Sequence, residues 1–145
     1  MYTKIQIVFD AAEPEKLAEF WGLALGYVVE PPPEGFESWE EFARSIGIPD
    51  SEFGEVSSRV DPAGEGPRLY FQRVPEGKQP GVKNRVHLDI SVAGRGVRGE
   101  HRKQLVSEHV ERLVQAGASL AWQTDDVRGS SVTLYDPEGN EFCVH

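Results

Sequence analysis

The feature of this sequence that most constrains its fold is an order of elements that occurs twice. Patterning indicates a strand, a helix and three further strands within about residues 1–80, and the same order again within about residues 83–145. Each occurrence can form a small sheet whose apolar face is covered by its helix. The chain is therefore predicted to be an α+β protein built from two βαβββ modules within a single domain, residues 1–145.

The strand that opens the second module shows two different faces. In residues 83–92 (KNRVHLDISV) apolar and polar side chains alternate, so that successive residues point to opposite sides of an extended strand. The apolar face carries Val86, Leu88, Ile90 and Val92. The polar face includes His87 and Asp89, and we expect it to line a cavity rather than to face plain solvent.

The other elements follow from the same kind of pattern. A first helix begins at Pro14 and ends at Gly26, and a second runs from about Glu100 to Ala116 with Gly117 as its cap. The second helix has an apolar stripe that consists of Val106, Val110, Leu113 and Val114. The remaining strands are expected near residues 4–10, 27–30, 54–60, 67–74, 119–124, 130–135 and 141–145.

Residues 31–50 are predicted to be an insertion in the first module. Three prolines at 31–33 break the chain, and the capping box from Ser38 to Glu41 opens a short helix that ends at about Ile46. Two interpretations stay open. The insertion either forms a lid over a site, or it covers a sheet edge or a subunit contact.

Two such sheets, side by side and curved, would enclose a cup with the helices on its outer face. The predicted lining of this cup is polar and convergent, which is typical of a ligand site. It consists of Gln6, Val8, Asp10, Tyr70, Gln72, His87, Asp89, Thr133, Cys143 and His145.

Charge and composition limit the partners. The net charge of −9 argues against nucleic acid and anionic membranes, because both need clustered Lys and Arg, and it favours a cationic or neutral small molecule. With one cysteine, Cys143, the chain has no internal disulfide. No signal-peptide pattern and no run of membrane-spanning length is present, so a cytoplasmic protein is expected.

The doubled order of elements, the segment NRVHLDISV at 84–92 and the segment DPEGNEFCV at 136–144 together resemble the glyoxalase-like branch of the vicinal oxygen chelate superfamily. That superfamily includes glyoxalase I, bleomycin-resistance proteins and extradiol dioxygenases. The resemblance covers essentially the whole chain apart from residues 31–50. It implies a cup that binds a small organic molecule, and a homodimer.

The resemblance also implies a site for one divalent metal, whether zinc, nickel, manganese or iron. Its four ligands fall on Gln6, Gln72, His87 and Cys143. Carboxylates are usual at the second and fourth positions, where this chain has an amide and a thiol. Standard glyoxalase I activity is therefore not expected, because that reaction needs a carboxylate base near the metal.

Two functions of different classes remain. One is a metal-dependent lyase, isomerase or dioxygenase, anchored by His87. The other is a metal-free protein that sequesters its ligand, as bleomycin-resistance relatives do, with Asp10 and Asp89 attracting a cation. Whether the chain is an enzyme is left open by its sequence.

The residues suggest four further arrangements. His87 and Asp89 with His145 have the composition of an iron triad, and His145 could also join a zinc site with His87 and Cys143. Cys143 could be a nucleophile paired with His87. Residues 94–99 (GRGVRG) fit a dinucleotide fingerprint, but the preceding strand lacks two apolar faces, so a flexible loop is favoured.

Overall fold

The computed structural model describes residues 2–127 and 129–145, and the chain forms two compact units. The first unit extends to Glu76 and the second begins at Gly77. Each unit contains one four-stranded mixed sheet, and the element order strand, helix and three strands occurs in both. The predicted α+β class with two βαβββ modules is confirmed. The grouping of both modules into one domain stays a prediction.

The first unit has the strand order β1-β4-β3-β2, in which β1 and β4 are parallel and the other neighbours are antiparallel. Its elements are β1 (Gln6–Ala11), α1 (Pro14–Leu25), β2 (Val28–Val29), α2 (Trp39–Ser45), a 3-10 turn (Asp50–Glu52), β3 (Val56–Val60) and β4 (Arg68–Arg73). Helix α1 packs on this sheet, and Leu17, Trp21, Leu69 and Phe71 are fully buried. Gly26 ends the helix at a φ of 70°, as the sequence predicts.

The second unit has the strand order β5-β8-β7-β6, in which β5 and β8 are parallel. Its elements are β5 (Leu88–Ile90), α3 (Gly99–Gln115), β6 (Ser119–Asp126), β7 (Gly129–Tyr135) and β8 (Glu141–Val144). Helix α3 contacts β7 and β8, where Leu113, Leu134, Phe142 and Val144 are fully buried. Among the described residues, no helix is both long and apolar enough to cross a membrane.

The strand expected at 85–92 is shorter than predicted. It is an edge strand whose paired residues are Leu88–Ile90, and Val86, assigned to the apolar face, is 80% exposed. An edge strand has one neighbour, so its length is set by how far that neighbour, β8, runs alongside it. His87 therefore lies just before the strand rather than in its middle.

The apolar stripe of α3 also differs from its prediction. Val114 is 41% exposed, whereas His109 is buried. At 3.6 residues per turn, His109 and Val114 flank the line of Val106, Val110 and Leu113 on opposite sides at nearly equal angles. The helix period therefore does not decide which of the two is buried, and this depends on how α3 packs against β7 and β8.

The insertion packs largely on itself. The Ser38 hydroxyl accepts a hydrogen bond from the Glu41 backbone N–H at 3.1 Å, which confirms the N-cap half of the capping box, whereas the Glu41 carboxylate accepts from the Glu37 backbone N–H. The Phe42 ring contacts those of Phe36 and Trp39. The Trp39 indole N–H donates to the backbone oxygen of Glu30 at 2.7 Å, beside edge strand β2. This contact favours the edge-covering interpretation. The lid interpretation stays a prediction.

Two acid–base pairs tie the elements of the first unit together. Glu15 of α1 accepts from the buried Arg59 at 2.6 Å and from the Ser57 hydroxyl at 2.6 Å. Glu30 accepts from Arg68 Nε at 2.8 Å and from the Ser58 hydroxyl at 2.7 Å. Burial raises the pKa of both carboxyl groups, but these hydrogen bonds and the adjacent guanidinium charges outweigh it, so each pKa lies below its ordinary value.

The first unit should therefore lose stability in acid. A carboxyl group whose pKa is lowered on folding stabilises the native state above its unfolded pKa, and this contribution disappears as the pH falls through the folded pKa. We expect Glu30→Gln to cost about 1–2 kcal/mol at pH 7 and to lose less free energy of unfolding than the wild type between about pH 5 and pH 3. Urea titrations at each pH measure this, with the exposed Glu34→Gln as control. Equal pH slopes for wild type and Glu30→Gln would contradict it.

Candidate functional site

The face of the second sheet opposite α3 collects the polar residues of three strands. Asp89 of β5 is paired with Cys143 of β8, and Cys143 is paired with Thr133 of β7. Residues paired across neighbouring strands point to the same face of a sheet. The three side chains therefore form a row, and His87 precedes Asp89 by two residues.

The side chains of His87, Asp89 and Cys143 converge at one point on this face. The potential ligand atoms of His87, Asp89 and Cys143 all lie within 4.8 Å of one another. His87 Nε2 is 3.2 Å from Asp89 Oδ1, and these side chains are 42% and 54% exposed. Thr133 Oγ1 lies 3.3 Å from Cys143 Sγ. The cluster is open to an ion and to a ligand from solvent.

These residues fit a divalent transition metal. Imidazole, carboxylate and thiolate are ligands of zinc and related ions, with bond lengths of about 2.0–2.3 Å, so two ligands of one ion can be up to about 4.6 Å apart. The potential ligand atoms of the three residues lie within 4.8 Å of one another, and small side-chain adjustments would bring them into this range. Three protein ligands would leave a position for a substrate or water, as catalytic zinc sites do.

His145 is not a member of this three-residue group within the part of the chain that the structure describes. Its Nδ1 lies 3.0 Å from Arg102 Nη2 instead. The structure thus brings together His87 and Asp89 of the considered iron triad, with Cys143 as the third neighbour.

The predicted site residues of the first unit lie on the exposed face of β1 and β4. Asp10 and Gln72 are register partners, and Gln72 Nε2 donates to Asp10 Oδ1 at 2.8 Å. Gln6 Oε1 accepts from Arg68 Nη1 at 2.8 Å, and the Arg68 guanidinium lies over the Tyr70 ring at 5.1 Å. Both amides already have protein partners. Their metal ligation stays a prediction.

Sequence reasoning missed Arg102. It lies on α3 four residues before the buried Val106, and so in line with the apolar stripe. The signal that could have identified Arg102 is its position in line with the apolar stripe of α3, because a charged side chain there needs a polar partner.

A family model described as a glyoxalase-like domain matches residues 6–145 of this chain. No curated protein matches it. The similar solved structures include the fosfomycin resistance protein FosX from Listeria monocytogenes, at 12% identity and a TM-score of 0.63, covering 100% of this chain and 93% of that one. A variant of that protein was solved with Mn(II) and 1S,2S-dihydroxypropylphosphonic acid.

Two further structures are similar over nearly the whole chain. A glyoxalase/bleomycin resistance/dioxygenase family enzyme from Burkholderia phytofirmans is 16% identical with a TM-score of 0.58, covering 97% of this chain and 94% of that one. A glyoxalase-related enzyme from Fulvimarina pelagi is 18% identical with a TM-score of 0.59, covering 99% and 87%. Similarity at these identities shows a shared fold.

Proposed function

Because this chain belongs to the glyoxalase-like domain family of the vicinal oxygen chelate superfamily, we propose that it binds a small organic molecule beside a divalent metal ion on the polar face of its second sheet. The observation that carries this proposal is the convergence of His87, Asp89 and Cys143 within 4.8 Å.

The donor set favours a particular group of ions. A thiolate and an imidazole suit zinc and other late transition metals, whereas the Mn(II) bound to the FosX variant gives manganese as a second candidate. Nickel and iron are also compatible with imidazole and carboxylate. A bound ion would act as a Lewis acid toward oxygen atoms of the ligand.

The residues next to His87, Asp89 and Cys143 would orient the protein atoms that bind the metal ion. The Thr133 hydroxyl, 3.3 Å from Cys143 Sγ, can donate to a thiolate and hold it in one rotamer. Asp89, 3.2 Å from His87 Nε2, is the carboxylate of this cluster and would serve as a ligand of the ion. A metal-assisted lyase, isomerase or dioxygenase is the class of enzyme that this set of ligands supports.

Elemental analysis of protein purified without chelator tests the proposal. We expect about one zinc, nickel, manganese or iron ion per chain in the wild type and little in His87→Ala, because removal of a ligand opens the site. His101→Ala, an exposed histidine of α3, is the matched control and should keep its metal. Absence of metal from the wild type after incubation with each ion would contradict the proposal.

A second candidate is metal-free sequestration of a cationic ligand. It is favoured by the hydrogen bonds that already occupy Gln6 and Gln72, and by the exposed carboxylates Asp10 and Asp89. This function predicts ligand binding that weakens with added salt and is unchanged by a chelator. Thermal-shift screening with and without chelator separates the two candidates.

A further inference from the structure

A cavity of about 270 Å³ opens beside the metal-binding cluster of the second unit. It is lined by Asp89, Arg102, Thr124, Asp126, Gly129, Ser130, Ser131, Cys143 and His145. We propose that this cavity binds the oxyanion group of a small ligand, with Arg102 as the residue that recognises it. The inference rests on the proposed function, because it names the class of ligand for the same site.

Arg102 supplies the positive charge. Its Nη2 lies 3.0 Å from the ring nitrogen Nδ1 of His145. Arg102 Nε is buried and has no hydrogen-bond partner among residues 2–127 and 129–145. A buried guanidinium N–H without a partner is unfavourable.

Hydroxyl groups add further donors. Thr124 and Ser131 are register partners on β6 and β7, and Ser130 adjoins them. Each hydroxyl can rotate its proton toward an oxygen atom of a ligand. Together with Arg102, these groups match a ligand that has several acceptor oxygens.

Two acidic groups, Asp89 and Asp126, also line the cavity. Asp89 is 3.2 Å from His87 and belongs to the cluster that would share its charge with a metal ion. An oxyanion lying between Arg102 and that ion would contact positive charge on both sides.

The donor groups that line the cavity restrict the chemistry of the group that it can bind. A carboxylate and a phosphate share the required chemistry, since either can accept charge-assisted hydrogen bonds from a guanidinium.

Calorimetric titration with inorganic phosphate and, separately, with acetate tests the inference. We expect the wild type to bind at least one of these anions, and Arg102→Gln to bind it at least about tenfold more weakly. Arg102→Lys keeps the charge without the planar fork and should give an intermediate loss. Arg95→Gln makes the same change of charge at an exposed loop position and should bind like the wild type.

The outcomes separate this inference from the proposed function. Equal anion affinity in the wild type and Arg102→Gln, or no binding of either anion, would overturn the inference whatever the metal content. If the wild type holds no metal but binds anions in an Arg102-dependent way, the proposed function fails and the inference stands. Circular dichroism of each variant verifies folding, and Arg102→Lys provides the comparison if Arg102→Gln is unfolded.

Discussion

Truncation of Phe142 to alanine should lower the free energy of unfolding by about 3–5 kcal/mol. This side chain is fully buried on the α3-facing side of β8, where it is the register partner of both Leu88 and Leu134. Its removal takes away apolar burial and leaves a cavity that close-packed neighbours can fill only in part.

Urea denaturation monitored by circular dichroism measures this loss as a shift of the midpoint at constant slope. Phe142→Leu keeps most of the volume and should cost less than half as much. Val114→Ala on the partly exposed side of α3 is the control and should cost about 1 kcal/mol or less. A loss below about 1 kcal/mol for Phe142→Ala would contradict the burial described for β8.

Replacement of Cys143 by serine should weaken zinc binding by more than about 100-fold. Cys143 offers the thiolate of the cluster, and loss of a direct ligand should exceed the 10–100-fold cost that is usual when a residue behind a ligand is lost. Thr133→Val removes the hydroxyl 3.3 Å from Cys143 Sγ while keeping its shape, so an intermediate loss of about tenfold is expected.

Competition against a chromophoric chelator gives these affinities. His101→Ala should bind zinc like the wild type. A zinc affinity that falls from the wild type to Thr133→Val and again to Cys143→Ser would identify the Cys143 thiolate as a ligand whose rotamer is held by the Thr133 hydroxyl. Unchanged zinc affinity in Cys143→Ser would show that the sulfur is a packing group only.

Local rules were enough for much of the fold. Pro14 and Gly26 mark the two ends of α1, and Ser38 caps α2, because these positions depend on the backbone within one turn. Alternation correctly places Phe142 and Val144 in the core and leaves Cys143 partly exposed, although Glu141, on the same face as Cys143, is also buried. The order of strands within each sheet is a tertiary property that the sequence pattern did not predict, whereas the doubled pattern and the family resemblance predicted the two βαβββ modules.

Features that depend on neighbours distant in sequence were less predictable. Val86 fits the alternation but lies beyond the part of β5 that pairs with β8, and no local signal gives that limit. The contact between His87 and Asp89 was implied by their spacing, whereas the role of Arg102 depends on its distance to His145, 43 residues away. The shared cup, the homodimer and the cytoplasmic location stay predictions.

The most direct test of the metal site is the absorption spectrum of the wild-type protein titrated with Co(II), which reports bound sulfur through a thiolate-to-cobalt charge-transfer band. The account predicts that this band grows to saturation at about one ion per chain, disappears in Cys143→Ser, and needs a higher cobalt concentration in His87→Ala and Asp89→Asn. A wild-type spectrum without the band, or an undiminished response in both His87→Ala and Asp89→Asn, would contradict a metal site formed by these three residues.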